Sequence, residues 1–290
     1  VSPVVIDKAV EVLKKYVIPE VLVCAYQGSE YSGSVTRTAA EEMTRCLGAS
    51  FMHWSIAPMV SDYVGTLNKA LGYELDWSTD DIALQNIQAR SRLPGIWLLA
   101  NHKGFLLIAT SNLSEAAVGY CTMDGDTAGG LSPVAGIGKS TILKINRRIM
   151  QDGIGLDGYE QRFAIPAMSY IVAQAPTAEL RPGGEQTDEK DLMPYPLLDT
   201  IRSLFAQENM LPDEIENLLV SERDGQFKDV TSDLGLSNED IGRFVRRFFA
   251  LLQRNQWKRE RYATGFHIEK DDGSPKGYLR LPVLSASLCS

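Results

Sequence analysis

Residues 104–133, GFLLIATSNLSEAAVGYCTMDGDTAGGLSP, constrain the fold of this chain more than any other stretch. An uninterrupted apolar run, 104–110, ends at Thr110, small polar residues follow, and a helix is expected to open near Leu113 with Glu115 in its first turn. Such a run, bounded by glycine and by Ser-Asn, predicts a parallel strand buried on both faces. Open α/β sheets bind ligands beyond the carboxyl ends of their strands, where helix N-termini present N–H groups to phosphates. Thr110 and Ser111 are therefore placed to touch a nucleotide. Glu115 has a plain explanation as a cap or dipole partner. The following loop, MDGDTAGG, adds two carboxylates and three glycines. That addition favours Mg²⁺ held among phosphates, since Mg²⁺ takes oxygen ligands and glycine permits close backbone approach.

The flanking sequence supplies the sheet's other parts. Helical spacing over residues 4–17, a short β-rich run at 21–26, a helix over 35–47 ending at Gly48 and a strand at 50–56 alternate in order. A long helix follows over roughly 80–101, with a kink expected at Pro94. Alternation of this kind implies a parallel sheet with right-handed crossovers. Beyond residue 150 the chain becomes more helical and more charged, with helices expected at 197–209, 211–222 and 237–258. Residues 176–195 hold too many breakers for one element and read as a loop near a ligand or an exposed connector.

Composition narrows the partners. Lys+Arg minus Asp+Glu is 29 − 37 = −8 and the pI is about 5.1, which disfavours general adhesion to nucleic acid or anionic membrane. No apolar run approaches the roughly 18 residues of a membrane span, and the first residues lack an export signal, so the chain reads as cytoplasmic. Cys24, Cys46, Cys121 and Cys289 form no CxxC, and His53, His102 and His267 have no metal-ligand spacing, which argues against zinc, thioredoxin-type and triad chemistry.

Three basic features remain. GIGKST at 136–141 imitates the end of a Walker A loop, but Pro133 stands where the first glycine belongs, and no clear strand is expected before it. Lys139 can still meet phosphate as a point charge or simply be solvated. In QNIQARSR, Asn86 and Arg90 are four apart while Arg92 lies on another face; they suit carboxylate or phosphate recognition, or surface ion pairs. Residues 243–261 concentrate Arg243, Arg246, Arg247, Arg254, Lys258, Arg259 and Arg261, whose KRER end is a candidate for a polyanionic ligand or a partner, against an ordinary amphipathic helix.

Together, TSNLSEAAVGYCTMDGDTAGGLSPVAGIGK, DDIALQNIQARSRLPGIWLLAN, PTAELRP, QTDEKDLMPY and NQWKRERYATGFH resemble the synthetase domain of NAD synthetase, most closely in bacterial glutamine-dependent forms. The likeness runs from about Ala25 to the C-terminus. It implies an α/β fold of the adenine-nucleotide α-hydrolase-like (Rossmann-like) kind: a parallel sheet with helices on both faces. One domain over 1–290 would comprise a nucleotide-binding core, 1–150, and a mostly helical part, 151–290. It implies a homodimer or higher homo-oligomer with substrate sites at the subunit interface, and two chemical steps. The nicotinate carboxylate of deamido-NAD attacks the α-phosphorus of MgATP, releasing pyrophosphate; ammonia then displaces AMP to give NAD. By position in the motifs, Thr110, Lys139 and Thr177 would contact ATP, and Glu115 would bind Mg²⁺. Asn86, Arg90 or Arg92, Tyr120, Asp126 and Lys258 would bind deamido-NAD, with Tyr120 stacking on the pyridine ring.

Departures are equally specific. Ammonia-dependent relatives carry lysine in place of Met123 and aspartate in place of Gly130, so those contacts do not carry over. The pyrophosphate loop SGGxDS and the glutamine amidase domain are absent from the sequence, which leads to the expectation of a truncated chain that binds nucleotide and turns over poorly or not at all. Two alternatives are a non-catalytic nucleotide-binding or dimerisation fragment and a related ATP pyrophosphatase acting on another carboxylate.

Overall fold

The computed structural model describes residues 3–155, 157, 160, 162–183, 187–270 and 272–277. Cys289 lies outside them. In chain order the elements are α1 (Pro3–Val12), continued by a π turn (Leu13–Val17) into α2 (Ile18–Val21), then β1 (Val23–Gly28), α3 (Ser34–Leu47), β2 (Ser50–Ser55), α4 (Ala57–Leu71) and α5 (Trp77–Lys103). They continue with α6 (Leu113–Val118), β3 (Ser132–Gly136), α7 (Lys139–Asp152), α8 (Met168–Val172), α9 (Asp188–Asp191), α10 (Tyr195–Ala206), α11 (Pro212–Ser221), α12 (Asn238–Arg254) and β4 (Gly265–His267). None of the described helices is long and apolar enough to cross a membrane.

Two compact units share these elements: Val1–Arg92 with Leu143–Thr187, and Leu93–Ile142 with Asp188–Ser290. Each draws residues from both sides of position 150. In the first, β1 and β2 run parallel in register from Val23 opposite Ser50 to Gly28 opposite Ser55. The intervening α3 makes the crossover expected of parallel neighbours, and ends where Gly48 takes a left-handed conformation (φ 75°). Regular helix in α5 begins after Asp80 (φ −114°, ψ 19°), not at a break around Pro94. The cause is local: Asp80 Oδ2 accepts from the Asp76 N–H at 3.0 Å, and Asp76 Oδ1 accepts from the Ser78 N–H at 2.8 Å. This turn competes with the helix for backbone donors. Helix α4 had no counterpart in the sequence reading.

The second unit holds an extensive apolar core. Helix α12 places Ile241, Val245, Phe248, Phe249 and Leu252 on one face, all buried. Phe249 meets Phe205 and Phe248 edge to face, at centroid distances of 5.2 Å each. A capping box starts the helix: Ser237 Oγ accepts from the Asp240 N–H at 3.1 Å and Asp240 Oδ2 accepts from the Ser237 N–H at 3.0 Å. Strand β3 pairs parallel with β4.

Two expectations fail in this unit. The apolar run 104–110 is not buried on both faces. Phe105, Leu107 and Ala109 turn inward while Leu106 (61 % exposed) and Ile108 (45 % exposed) turn outward. Its described ladder contacts lie along one edge, with the Ala109 N–H donating to Leu131 O and the Gly130 N–H to Leu107 O, both at 2.8 Å. Continuous hydrophobicity cannot reveal which alternate side chains a neighbouring layer covers, so the strand rule overreached. Conversely, a strand does precede GIGKST: β3 ends at Gly136, three residues before α7. Its SPVAG sequence carries a proline and a glycine, which hid it.

Candidate active site

Helix α6 is only six residues long and is held by its ends. Asn112 caps it, its Oδ1 accepting from the Glu115 N–H at 3.1 Å, and the Leu113 N–H donates to Ile137 O at 3.0 Å. Ser114, fully buried, donates to Asp199 Oδ1 and accepts from the Lys139 N–H at 2.7 Å. Asp199 Oδ2 in turn accepts from the N–H of Ser140 at 3.2 Å and from its hydroxyl. The carboxylate on α10 thus sits at the positive end of α7, where the helix dipole favours an anion.

This hub fixes the two N-terminal turns so that Lys139 Nζ and Glu115 Oε1 meet at 2.9 Å, each side chain about one-fifth exposed. Lys139 also stands 5.6 Å from the centroid of the Tyr195 ring. The Tyr195 hydroxyl donates to Asp188 at 3.0 Å, and the Tyr120 hydroxyl donates to Asp191 at 2.9 Å. Burial raises the Asp188 carboxyl above the usual range, with Lys139 partly opposing it. Burial likewise raises the phenols of Tyr120 and Tyr195. Glu115, Lys139 and Tyr120 are therefore brought into one neighbourhood. Sequence reading missed Ser114, Asp188, Asp191, Tyr195 and Asp199. Asp199 lies inside a helix with no local signature, and only the packing of α10 shows its target.

The loop after α6 is tied down by its own polar groups. Asp126 Oδ2 accepts from the Thr122 N–H at 2.9 Å, and Asp126 O accepts from Ser111 Oγ at 3.0 Å. Lys258 Nζ donates to Gly119 O at 2.9 Å and Cys121 O at 2.8 Å. Gly129 (φ 153°) lets the loop cross Ala109, whose backbone nitrogen would lie 2.9 Å from any added Cβ. At Gly130 an added Cβ would closely meet only Leu106 Cδ1, at 2.5 Å, the tip of an exposed side chain that can turn aside. Thr110 is exposed at the start of this region. Burial pushes the Cys121 thiol up to about 11, and its sulfur lies 2.7 Å from the Tyr262 hydroxyl.

In the first unit, Asn86 and Arg90 line a cleft of about 890 Å³ with Tyr63, Leu67 and Ile87. Arg92 serves a different face, its Nε donating to Gln27 O at the end of β1 at 3.1 Å. Thr177 accepts from the Glu179 N–H at 3.3 Å.

The KRER stretch is anchored largely on the protein's own groups. Arg259, 5 % exposed, donates to Gly273 O and Ser274 O, Arg261 pairs with Asp124, and Lys258 is held as above. Upstream, Arg243 pairs with Asp240, Arg246 with Glu216, and Arg247 donates to Asp191 O. Apart from Asp240, one turn from Arg243, these partners are carbonyls and acids distant in sequence, which composition cannot show. His267 approaches Asp272 and Ser274, but both meet the same nitrogen, Nδ1, which is not the geometry of a proton relay.

A family profile described as NAD synthase matches residues 6–261. The chain belongs to the NAD synthase family. Among its relatives, the glutamine-dependent NAD(+) synthetase of Aquifex aeolicus is 35 % identical over 190 residues, covering 66 % of this chain and 30 % of that protein. The Thermotoga maritima protein of the same description is 30 % identical over 241 residues, covering 83 % and 36 %. The crystal structure of a glutamine-dependent NAD(+) synthetase from Cytophaga hutchinsonii superposes with a TM-score of 0.72 at 34 % identity, covering 91 % of this chain and 39 % of that one. The NMN synthetase of Francisella tularensis shares the fold, with a TM-score of 0.51 at 17 % identity and coverage of 81 % and 75 %. This family fold is mixed α/β with parallel strand pairing, as the resemblance implied. The chain spans about a third of the length of the glutamine-dependent relatives it matches.

Proposed function

We propose that this chain is the ligase part of an enzyme that amidates deamido-NAD to NAD, with ATP cleaved to AMP and pyrophosphate. The observation that carries the reading is the Glu115–Lys139 pair, set at 2.9 Å between the first turns of α6 and α7. A carboxylate and a cation held rigidly at two helix N-termini suit a polyphosphate whose charge grows during the reaction. The chemistry needs no protein nucleophile: the substrate carboxylate attacks phosphorus, and ammonia then replaces AMP. The residues' task is positioning and neutralisation.

Among the described residues no group of three His, Cys, Asp or Glu side chains is placed to hold a metal. One carboxylate is nevertheless what Mg²⁺ requires when phosphates and water complete its shell, so Glu115 fits that role. When bound, the ion would withdraw charge from the phosphate oxygens. Lys139, Thr110 and Thr177 are assigned to ATP. Asn86 and Arg90 in their cleft, Arg92, Tyr120, Asp126 and Lys258 are assigned to deamido-NAD. Lys258, anchored on two carbonyls, steadies the turn that presents Tyr120. The partners of the whole protein are a second copy of the chain and an amidase domain supplying ammonia; neither nucleic acid nor membrane is among them, and the setting is cytoplasmic.

The intact protein given MgATP, deamido-NAD and ammonia should form NAD and AMP in equal amounts; ADP in place of AMP refutes the adenylation chemistry. Glu115→Gln should lower that turnover about a hundredfold, the scale of losing one electrostatic partner in a catalytic site, without changing the thermal melt. Unaltered turnover removes Glu115 from the site.

A further inference from the structure

Residues 175–181 carry Thr177 through the first unit without a regular element. Three anchors hold them. Gln88, buried in α5, donates from Nε2 to Leu180 O at 2.7 Å. Arg181 grips Asp81 through two bonds, Nε to Oδ1 at 3.0 Å and Nη2 to Oδ2 at 2.8 Å. Glu179 reaches the start of α3, its Oε1 accepting from the Gly33 N–H at 3.3 Å and its Oε2 from the Thr36 hydroxyl at 2.9 Å. With its proton given to Glu179, Thr36 Oγ1 accepts from the Tyr26 hydroxyl on β1 at 2.9 Å. The Glu179 backbone is left-handed (φ 48°), a conformation that a residue with a Cβ keeps only where its surroundings enforce it.

We infer that Glu179 is a positioning residue: its carboxylate locks the loop onto the N-terminal turn of α3 and thereby presets the Thr177 hydroxyl for an ATP phosphate. The backbone link is direct, since the Glu179 N–H donates to Thr177 Oγ1 at 3.3 Å. The hydroxyl that accepts this bond donates its proton elsewhere, and a phosphate oxygen is the acceptor the proposed reaction supplies. The inference rests on the assignment of Thr177 to ATP above. It adds that the loop geometry is built before ligand arrives, through a carboxylate some 140 residues distant in sequence from the donors it meets at the start of α3.

The test uses the intact protein with Glu179→Ala and Thr177→Val, singly and together. Each single change should raise KM for MgATP about tenfold, the scale of one lost charge-assisted hydrogen bond, and leave KM for deamido-NAD within about twofold. The double variant should be little worse than Thr177→Val alone, because Glu179 acts through Thr177. Glu179→Gln, which retains one acceptor, should recover part of the loss. Multiplying effects in the double variant, or an unchanged KM for MgATP in Glu179→Ala, overturns the inference. Should the wild-type protein form no AMP, the ligase reading fails. Amide exchange then decides the latch by itself: Glu179→Ala should speed exchange at Gly33 and at position 179 about tenfold, and unchanged exchange refutes it.

Discussion

Replacing Asp199 by alanine takes away the acceptor shared by three donors: the Ser114 hydroxyl, the Ser140 hydroxyl and the Ser140 N–H. Ser114 is fully buried and would lose its acceptor, at about 1–3 kcal/mol. Asp199 and Ser140 are half-buried, so water replaces part of the other two bonds. The dipole of α7 adds about 0.3–1 kcal/mol. The sum, discounted for solvent access, is roughly 2–4 kcal/mol. Urea unfolding followed by circular dichroism should show that loss as a lower midpoint with an unchanged slope. Asp199→Asn keeps one oxygen acceptor and should cost about half as much. Gly138→Ala offers an independent route to the same disturbance, since its Cβ would stand 2.7 Å from Asp199 Oδ2 and push the carboxylate off α7. A loss below about 0.5 kcal/mol in Asp199→Ala would show that the hub contributes no more than an exposed contact, and the account of how Lys139 is held would fall with it.

Two further outcomes follow from buried titratable groups. Burial keeps the Asp188 carboxyl protonated to higher pH than its unfolded counterpart, which titrates near about 3.9. Above that pH the native state binds more protons than the unfolded one, so this group's contribution to stability falls as pH rises. The advantage of Asp188→Asn over wild type in urea melts should therefore grow from about pH 4 upward; an advantage flat with pH contradicts the assignment. Cys121, its thiol pushed up to about 11, carries on the order of a thousandth thiolate at pH 8 and should resist iodoacetamide until the protein unfolds. Rapid labelling in the native state would show that the thiol is not sealed against Tyr262.

Local signals in the chain were read well where the physics is local. The opening of α6 near Leu113, the end of α3 at Gly48 and the amphipathic character of α12 all depend on neighbours within a turn or two. The Glu115 placement in a first helical turn belongs to the same class. Readings failed where the answer lay across the fold. The run 104–110 has the composition of a doubly buried strand, yet Leu106 and Ile108 face outward because burial is a property of the layers around a strand. Arg259 and Lys258 look like a loose basic patch and are anchored on backbone carbonyls.

Taken alone, the amino-acid order determined the family, the alternation of helices and parallel strands, and the residue types available to meet phosphate and carboxylate, because short-range hydrogen bonding and side-chain periodicity write themselves into neighbouring positions. Tertiary structure alone decided which charges are paired: that Lys139 meets Glu115, that Asp199 ties α6 to α7, and that Glu179 clasps the start of α3. Electrostatic partners are chosen by distance in space, and distance in space is set only when the core has packed.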